Sequence, residues 1–580
     1  MTSPRLAPAA VHTDRRPDGS IVLRSAHALG DYPRHLSEPL RHWARQAPDR
    51  TFLAERTPGG GWRRVTYAQA RDAVDRLAQS LLDRGLDASR PLMILSGNGV
   101  DHALLTMAAM QAGVPAAPIS TAYSLVSRDF GKLRAIHQAL DPGLVFAGEA
   151  DRYARAFAAL GLEPSSVVTD LGPLLRTTPT EAMERRYASL GPDSVAKILF
   201  TSGSTGEPKG VINTQRMLCS NQQAIATVWP FLHDRPPVLL DWLPWSHTFG
   251  ANHNFNMVLF HGGSLFVDDG RPTPDLIERT CANLREISPT LTFNVPRGFA
   301  VLLPKLEQDP SLRDALFREL DVCFYAAASL PSALWERLEA LSVASRGEKV
   351  LMFSAWGSTE TSPLATTVHF RIDRAGVIGL PAPGTEIKLA PVGAKLELRV
   401  KGPNVTPGYW GRPDLAATAF DEEGFLRMGD GGKLADPEDP ARGVVFDGRI
   451  GEDFKLSSGT WVHVGALCTA LVARLAPTAS DAVIAGLDRD AIGVLLFVGP
   501  PARLPETRER LRELLRAHNA EHPNGSQRVA RALLMEEPPS IDATEVTDKG
   551  YINQRAVLER RSALVERMYR GEGQDVILLD

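Results

Sequence analysis

Cysteine is scarce: Cys219, Cys281, Cys323 and Cys468 are the four among 580 residues. Their wide separation fits neither a zinc-type spacing nor a dense disulfide framework, so they are expected to be reduced thiols of a cytoplasmic protein. Excess charge is missing too, since 64 Lys and Arg face 68 Asp and Glu for a formal net charge of -4. No bulk field therefore recruits nucleic acid or an anionic membrane. Long apolar runs are also lacking. "ALLTMAAMQAGVPAAPI" is broken by Gln111, Gly113 and two prolines before it can span a bilayer. The opening "MTSPRLAPAAVHTDRRPDGS" has no apolar core of the kind a secretion signal needs. There is no internal repeat and no low-complexity tract.

What is present is the balance of a globular chain, 43% hydrophobic and 23% charged. Its length suits roughly three to four domain-sized units, or fewer if one is large. Thr66 is an expected N-cap, and Ala70, Val74, Leu77, Ala78, Leu81 and Leu82 follow at the spacing of one helical face. "RPLMILSG", "VPAAPIS", "DPGLVFAG", "SVAKILFT", "PPVLLDWL", "GGSLFVDD", "LDVCFYAA" and "EKVLMFSA" are apolar runs that alternate with helical patterns. That order predicts an α/β fold of parallel-type sheets covered by helices up to about residue 390. From "AKLELRVKG" to about residue 449 short alternating runs with Gly, Pro and Asp predict a small, β-barrel-like subdomain. Beyond Arg449, "AVIAGL", "IGVLLFVG" and "ETRERLRELLRAHNA" predict a separate α+β unit, dividing the chain into 1–449 and 450–580.

"LFTSGSTGEPKGV" holds the densest chemistry. Thr201, Ser202, Gly203, Ser204, Thr205 and Lys209 follow a strand, and glycines, hydroxyls and one lysine are what a polyphosphate cradle requires. It is not the common nucleotide loop, because Glu207 and Pro208 stand between Gly206 and Lys209. The competing reading is a plain Ser/Gly surface loop. Four more strings follow in order: "WLPWSHTFG", "SAWGSTETSP", "GPNVTPGYWGRPDLAATAF", and the pair "RMGDGG" and "FDGRIGEDFKLSSGTWV". Taken singly, His247 suits a core histidine, "STE" a helix cap, and Asp430 or Arg449 a solvated turn.

Together these strings resemble the adenylate-forming superfamily, which includes acyl-CoA synthetases, across nearly the whole chain. The resemblance implies that ATP, Mg²⁺ and coenzyme A are used and that the 450–580 unit is mobile. It implies Trp356 stacking on adenine beside Gly357, Thr359 at the α-phosphate and Glu360 holding Mg²⁺. Asp430 and Arg449 then meet the ribose, His247 lies near the substrate carboxylate, and Thr205 belongs to the phosphate loop. Near the C-terminus "TEVTDKGYINQR" makes Lys549 the candidate catalytic lysine, although alignment on Ile552 puts Tyr551 in its place. The hinge position falls on Gly451, followed by Glu452 and Asp453. Gly459, in "SSGTWV", is implied at the pantetheine arm of CoA.

More specifically, "TAYSLVSRDFGKLR", "INTQRMLCSNQQ", "WLPWSHTFGANHNF", "EDFKLSSGTWVHVG" and "TDKGYINQR" resemble the bacterial feruloyl-CoA synthase group. That implies an acid–thiol ligase for ferulate or another hydroxycinnamate, used in aromatic acid catabolism with no nucleic-acid or membrane partner. The alternatives are a medium- or long-chain fatty acid–CoA ligase and a non-catalytic nucleotide-binding member of the fold. Asn252, His253 and Asn254, just past the histidine string, either meet substrate or cap a helix.

Overall fold

A computed structural model describes residues 4–202, 207–328, 330–523, 525–547 and 550–579, without the side chains of Ser202, Pro501 and Arg503. The loop tip with Gly203, Ser204 and Thr205, and Lys549, therefore lie outside the described residues.

The expected amphipathic helix runs Tyr67–Asp83, and Thr66 caps it reciprocally with Gln69. It packs on Val100–Gln111, a helix buried almost all round because it lies between this neighbour and a sheet. That sheet has five strands in the order Leu144–Phe146, Leu92–Ile94, Ala116–Pro118, Val195–Ser202, Pro208–Thr214. Its first four are parallel, whereas the last returns antiparallel from Val195–Ser202. Gly131–Leu140 and Ala150–Leu160 contribute the core on the other face.

A second, eleven-stranded sheet begins with three parallel strands, Leu291–Asn294, Val322–Tyr325 and Leu351–Gly357. It continues through antiparallel strands, so the β-rich stretch after residue 390 extends the same sheet that carries "SAWG". The N-terminal hairpin Val11–Arg15 and Ile21–Ser25 closes its far edge, with Ile21 opposite Leu389. This continuity sets the site, since it places the strands bearing Trp356, Asp430 and Arg449 in one surface. A third, four-stranded sheet holds Val238–Asp241, Ser264–Val267, Thr51–Arg56 and Trp62–Thr66.

Residues beyond Arg449 have a core of their own. The strands Asp481–Ala485, Ile492–Phe497, Val529–Met535 and Val576–Leu578 form one sheet. Val464–Leu475 and Pro505–Glu521 cover one face, Gln554–Arg560 and Ser562–Arg570 the other. No helix among the described residues is long and apolar enough to cross a membrane.

Candidate functional site

The "LFTSGSTGEPKGV" string is the tip of a β-hairpin. Thr201 pairs with Lys209 and Ser202 with Pro208, so no helix N-terminus follows the loop as it does in the common nucleotide-binding arrangement. The expected phosphate role of the string therefore cannot draw on a helix dipole, and the Lys209 charge is its described cation. Gly210 is required by contact: a Cβ there would stand 2.9 Å from Ile198 and 3.2 Å from the Phe200 ring. The segment 406–410 runs along the hairpin, with Trp410 N–H donating to Gly210 C=O at 2.7 Å and Ile212 N–H to Gly408 C=O at 3.1 Å. It brings Tyr409 to Lys209, whose Nζ is 6.0 Å from the ring centroid.

The same segment joins the hairpin to the "GSTET" turn. Thr406 N–H donates to Glu360 C=O at 2.8 Å, and Tyr409 Oη donates to Glu360 Oε1 at 3.3 Å. Ser358 caps the turn: its Oγ accepts from Glu360 N–H at 3.1 Å and donates to Glu360 Oε2 at 2.8 Å. Thr359 is buried beside it, and Gly357 leads in from the strand. The Glu360 carboxylate is thus oriented by two hydroxyls and retains free lone pairs. Among the described residues no cluster of three or more His, Cys, Asp or Glu can hold a metal. A single oriented carboxylate fits Mg²⁺, which is usually bound by one or two carboxylates together with substrate phosphates and water.

Asp430 and Arg449 face each other on adjacent strands, Leu426–Leu434 and Val444–Arg449. Arg449 Nε is 3.4 Å from Asp430 Oδ1, and Trp356 Nε1 donates to Asp430 Oδ2 at 2.8 Å. The carboxylate is buried while the Arg449 side chain is 61% exposed. Among the described residues Oδ1 has no hydrogen-bond donor of its own. Burial therefore raises the Asp430 pKa, against the lowering effects of Arg449 and the indole N–H. A buried carboxylate oxygen lacking a donor is suited to a ligand that brings hydroxyls, as a ribose does. Trp356 holds the acid by its edge, a contact that the stacking role alone did not suggest.

His247 is buried at the start of a helical segment that continues as the π-helical turn Phe249–Phe255. Asn98 pins the approach, donating to Leu243 C=O and accepting from Trp245 N–H, both at 2.9 Å. Gly250 permits the tight entry, because a Cβ would come within 2.4 Å of Leu243 C=O. Asn252, His253 and Asn254 are wholly buried inside this turn and do not cap it. Asn252 bonds Asn213 Oδ1 at 2.7 Å and accepts from Lys197 Nζ at 3.2 Å. Lys197 has no acidic partner among the described residues, and burial lowers its pKa to about 7. Burial likewise lowers His253 to about 4, so its imidazole is neutral.

The segment ahead of Lys549 docks beside the phosphate hairpin. Asp542 accepts from Ser127 Oγ at 2.6 Å and from Arg128 N–H at 3.0 Å, and Lys132 Nζ donates to Ile541 C=O at 2.7 Å. Ile541 packs on the cluster containing Ile198 and Phe200. Tyr551, the alternative to Lys549, closes a tight turn in which Thr547 N–H donates to its C=O at 2.8 Å, and burial raises its phenol to about 12. At the expected hinge, Gly451 is unconfined, whereas Asp453 is buried between Lys395 and His463. Gly459 sits in the turn between Phe454–Lys455 and Trp461–Val462, open to its surroundings.

The family resemblance singled out Glu360, Asp430 and Arg449, whereas the antiparallel pairing of the hairpin and the contacts of Tyr409 and Ser358 with Glu360 emerge only in the structure. Tyr409 lay inside a string that looked purely structural, and its partner is 49 residues away.

Comparison with known proteins gives a concordant result. The family model described as AMP-binding enzyme matches residues 40–410, and that of the AMP-binding enzyme C-terminal domain matches 455–573. A methyl-dioxo-octahydroindenyl-propanoyl:CoA ligase of Rhodococcus jostii is 26% identical over 79% of this chain and 87% of its own length. A long-chain-fatty-acid–CoA ligase of Mycobacterium bovis is 26% identical over 83% of this chain and 85% of its own. The solved structure of o-succinylbenzoate CoA synthetase from Bacillus subtilis with its acyl-adenylate shares the fold at TM-score 0.69 and 18% identity, covering 91% of this chain and 98% of that one.

Proposed function

This chain belongs to the AMP-binding enzyme family, and on that premise we propose that it is a feruloyl-CoA synthase-like ligase, joining ferulate or a related hydroxycinnamate to CoA. At the coarser level it is an AMP-forming acid–CoA ligase that uses ATP, Mg²⁺ and CoA. The observation that carries the adenylation reading is the continuous surface from the phosphate hairpin through Tyr409 and Glu360 to Trp356, Asp430 and Arg449.

The chemistry requires such a surface. A carboxylate attacking ATP brings two anions together, and at about 4 Å with an effective dielectric near 20 each charge pair costs roughly 4 kcal/mol. Lys209 offsets charge at the leaving phosphates, and Lys549 would add a second cation from the mobile unit. Mg²⁺ at Glu360, when bound, neutralises phosphate charge. These interactions accelerate the step to the extent that they strengthen in the transition state. Attack at the α-phosphate releases pyrophosphate and leaves the acyl-adenylate, which the CoA thiolate then opens to the thioester and AMP.

For the acid itself, the hydroxycinnamate reading is supported by the feruloyl-type strings and by the aromatic side chains that follow His247. Phe249 stands 6.3 Å from Phe293 and 5.8 Å from Phe324, centroid to centroid. A second reading, a long-chain fatty acid–CoA ligase, is favoured by the names of the relatives in Mycobacterium bovis and Escherichia coli. Pyrophosphate release measured with ferulate, benzoate and decanoate separates them. Ferulate should exceed both, and a preference for decanoate would replace the first reading with the second.

Two further outcomes follow from the geometry. Glu360→Gln should raise the Mg²⁺ concentration needed for half-maximal pyrophosphate release by roughly tenfold, the size of one charge-assisted contact. An unchanged titration would remove Glu360 from the metal. Asp542 experiences burial, which raises its pKa, but the Ser127 hydroxyl and the Arg128 N–H outweigh it, and the net shift is downward. The docking of residues 538–547 is therefore present above the ordinary aspartate pKa and is lost as pH falls through the depressed one. Asp542→Ala should speed hydrogen exchange across this segment at neutral pH and slow adenylation more than thioester formation. Exchange identical to the parent protein would show that the contact does not hold the segment.

A further inference from the structure

Three consecutive side chains in the Phe249–Phe255 turn point three different ways, and the middle one ends in an unused acceptor. Asp241 Oδ2 accepts from Asn254 Nδ2 at 2.9 Å, which turns the Asn254 carbonyl oxygen toward His253 Nδ1, 3.0 Å away. An amide oxygen only accepts, so His253 carries its proton on Nδ1 and donates it there. Nε2 is then a bare lone pair, and among the described residues no donor reaches it although His253 is 1% exposed.

Its surroundings are aromatic. Ring centroids of Phe293 and Phe324 lie 5.2 Å from the imidazole, Phe249 lies 5.8 Å away and Trp229 6.4 Å. Phe293 and Phe324 are register partners on adjacent parallel strands, so two strands and the turn build the walls together. Phe249 is the partly exposed member and stands two residues after His247. From His247 to His253 the chain advances about 9 Å at 1.5 Å per residue, somewhat less through a π-helical turn. That is comparable to the span from carboxyl carbon to ring hydroxyl in a phenylpropenoid acid.

We propose that His253 Nε2 accepts a hydrogen bond from the para-hydroxyl of the acid being activated, and so selects para-hydroxylated aromatic acids over those without the hydroxyl. The assignment rests on the hydroxycinnamate reading above and deepens it. Asp241 and Asn254 are positioning residues, because they fix the tautomer that leaves Nε2 as an acceptor. Because Nε2 is already buried without a partner, only an acid that brings a proton donor gains a hydrogen bond there, and an aliphatic tail or an unsubstituted ring gains none.

The test is kcat/KM for pyrophosphate release with p-coumarate, cinnamate and 4-methoxycinnamate, the last retaining the oxygen but not its proton. The wild-type protein should prefer p-coumarate over both by roughly 10- to 100-fold. In His253→Leu that preference should fall to within about threefold, and His253→Gln, which keeps an acceptor, should restore part of it. Comparable rates with all three acids in the wild-type protein would overturn the His253 assignment and leave the hydroxycinnamate reading standing. An undiminished preference in His253→Leu would do the same. Turnover of decanoate with none of the three cinnamates would remove both. The wild-type comparison decides the matter even where a variant fails to fold.

Discussion

Replacing Lys549 with alanine should slow pyrophosphate release from ATP and ferulate by roughly 10²–10³-fold, the usual cost of removing one preorganised electrostatic contact from a transition state. Thioester formation from supplied feruloyl-adenylate and CoA should change by less than about threefold, because the second half-reaction has no pentavalent phosphorus for a lysine to stabilise. The asymmetry is the informative quantity. Asp542, Ile541 and Lys132 fix the preceding segment against the body that carries the phosphate hairpin. The proposed role of Lys549 needs that segment held during adenylation and, if the C-terminal unit rotates as the resemblance implies, released for thioester formation. Equal losses in both half-reactions would reject this role. Loss with Tyr551→Phe instead would move the role to the alternative residue.

Asp430→Ala is expected to raise KM for ATP by roughly 10- to 100-fold, the range for a hydrogen-bonded charged group. The structure also sets the direction of its pH dependence. Burial raises the free-state pKa of Asp430 first and foremost, while Arg449 and the Trp356 N–H only partly oppose it. If ribose hydroxyls donate to the ionised oxygens, as the proposed role of Asp430 requires, the bound-state pKa must be lower than the free-state one. Nucleotide binding then releases a proton, and affinity for AMP rises with pH until the raised free-state pKa is passed, then levels. Asp430→Asn should flatten that rise, and Trp356→Phe should weaken AMP binding while leaving Arg449 in place. Calorimetric AMP affinities across pH 4 to 8 on the three proteins check both claims. A pH-independent affinity in the parent protein would contradict the assignment of Asp430 to the ribose.

Most of the candidate site was legible as local strings because the proposed adenylate chemistry calls for short runs of special residues: glycines and hydroxyls for phosphates, an acidic turn, an acid on one strand and an arginine on the next. Most of the parallel strands were legible too, since burial on both faces writes them as apolar runs, although Leu291–Asn294 and Thr51–Arg56 were not among those read. What sequence spacing did not expose is long-range. The strand Pro208–Thr214 opens on Pro-Lys-Gly and resembles loop until its pairing with Val195–Ser202 is seen. The indole of Trp356 meets Asp430 across 74 residues, and Tyr409 meets Glu360 across 49. The N-terminal hairpin joins a strand more than 360 positions later, with Arg24 Nε donating to Glu386 Oε2 at a separation of 362. Asn252 and Asn254 illustrate the reverse case: their type and place suggested substrate contacts or helix caps, but a buried π-helical turn uses them as internal braces to β-strands.

The central claim is that the acid's own oxygen attacks the α-phosphate. Ferulate labelled with ¹⁸O in its carboxyl group, incubated with ATP, Mg²⁺ and CoA, tests it directly. One labelled oxygen should appear in the phosphate of AMP, with pyrophosphate unlabelled and formed in equal amount. Formation of ADP and orthophosphate, or AMP carrying no label from any acid that is converted to a thioester, would contradict it.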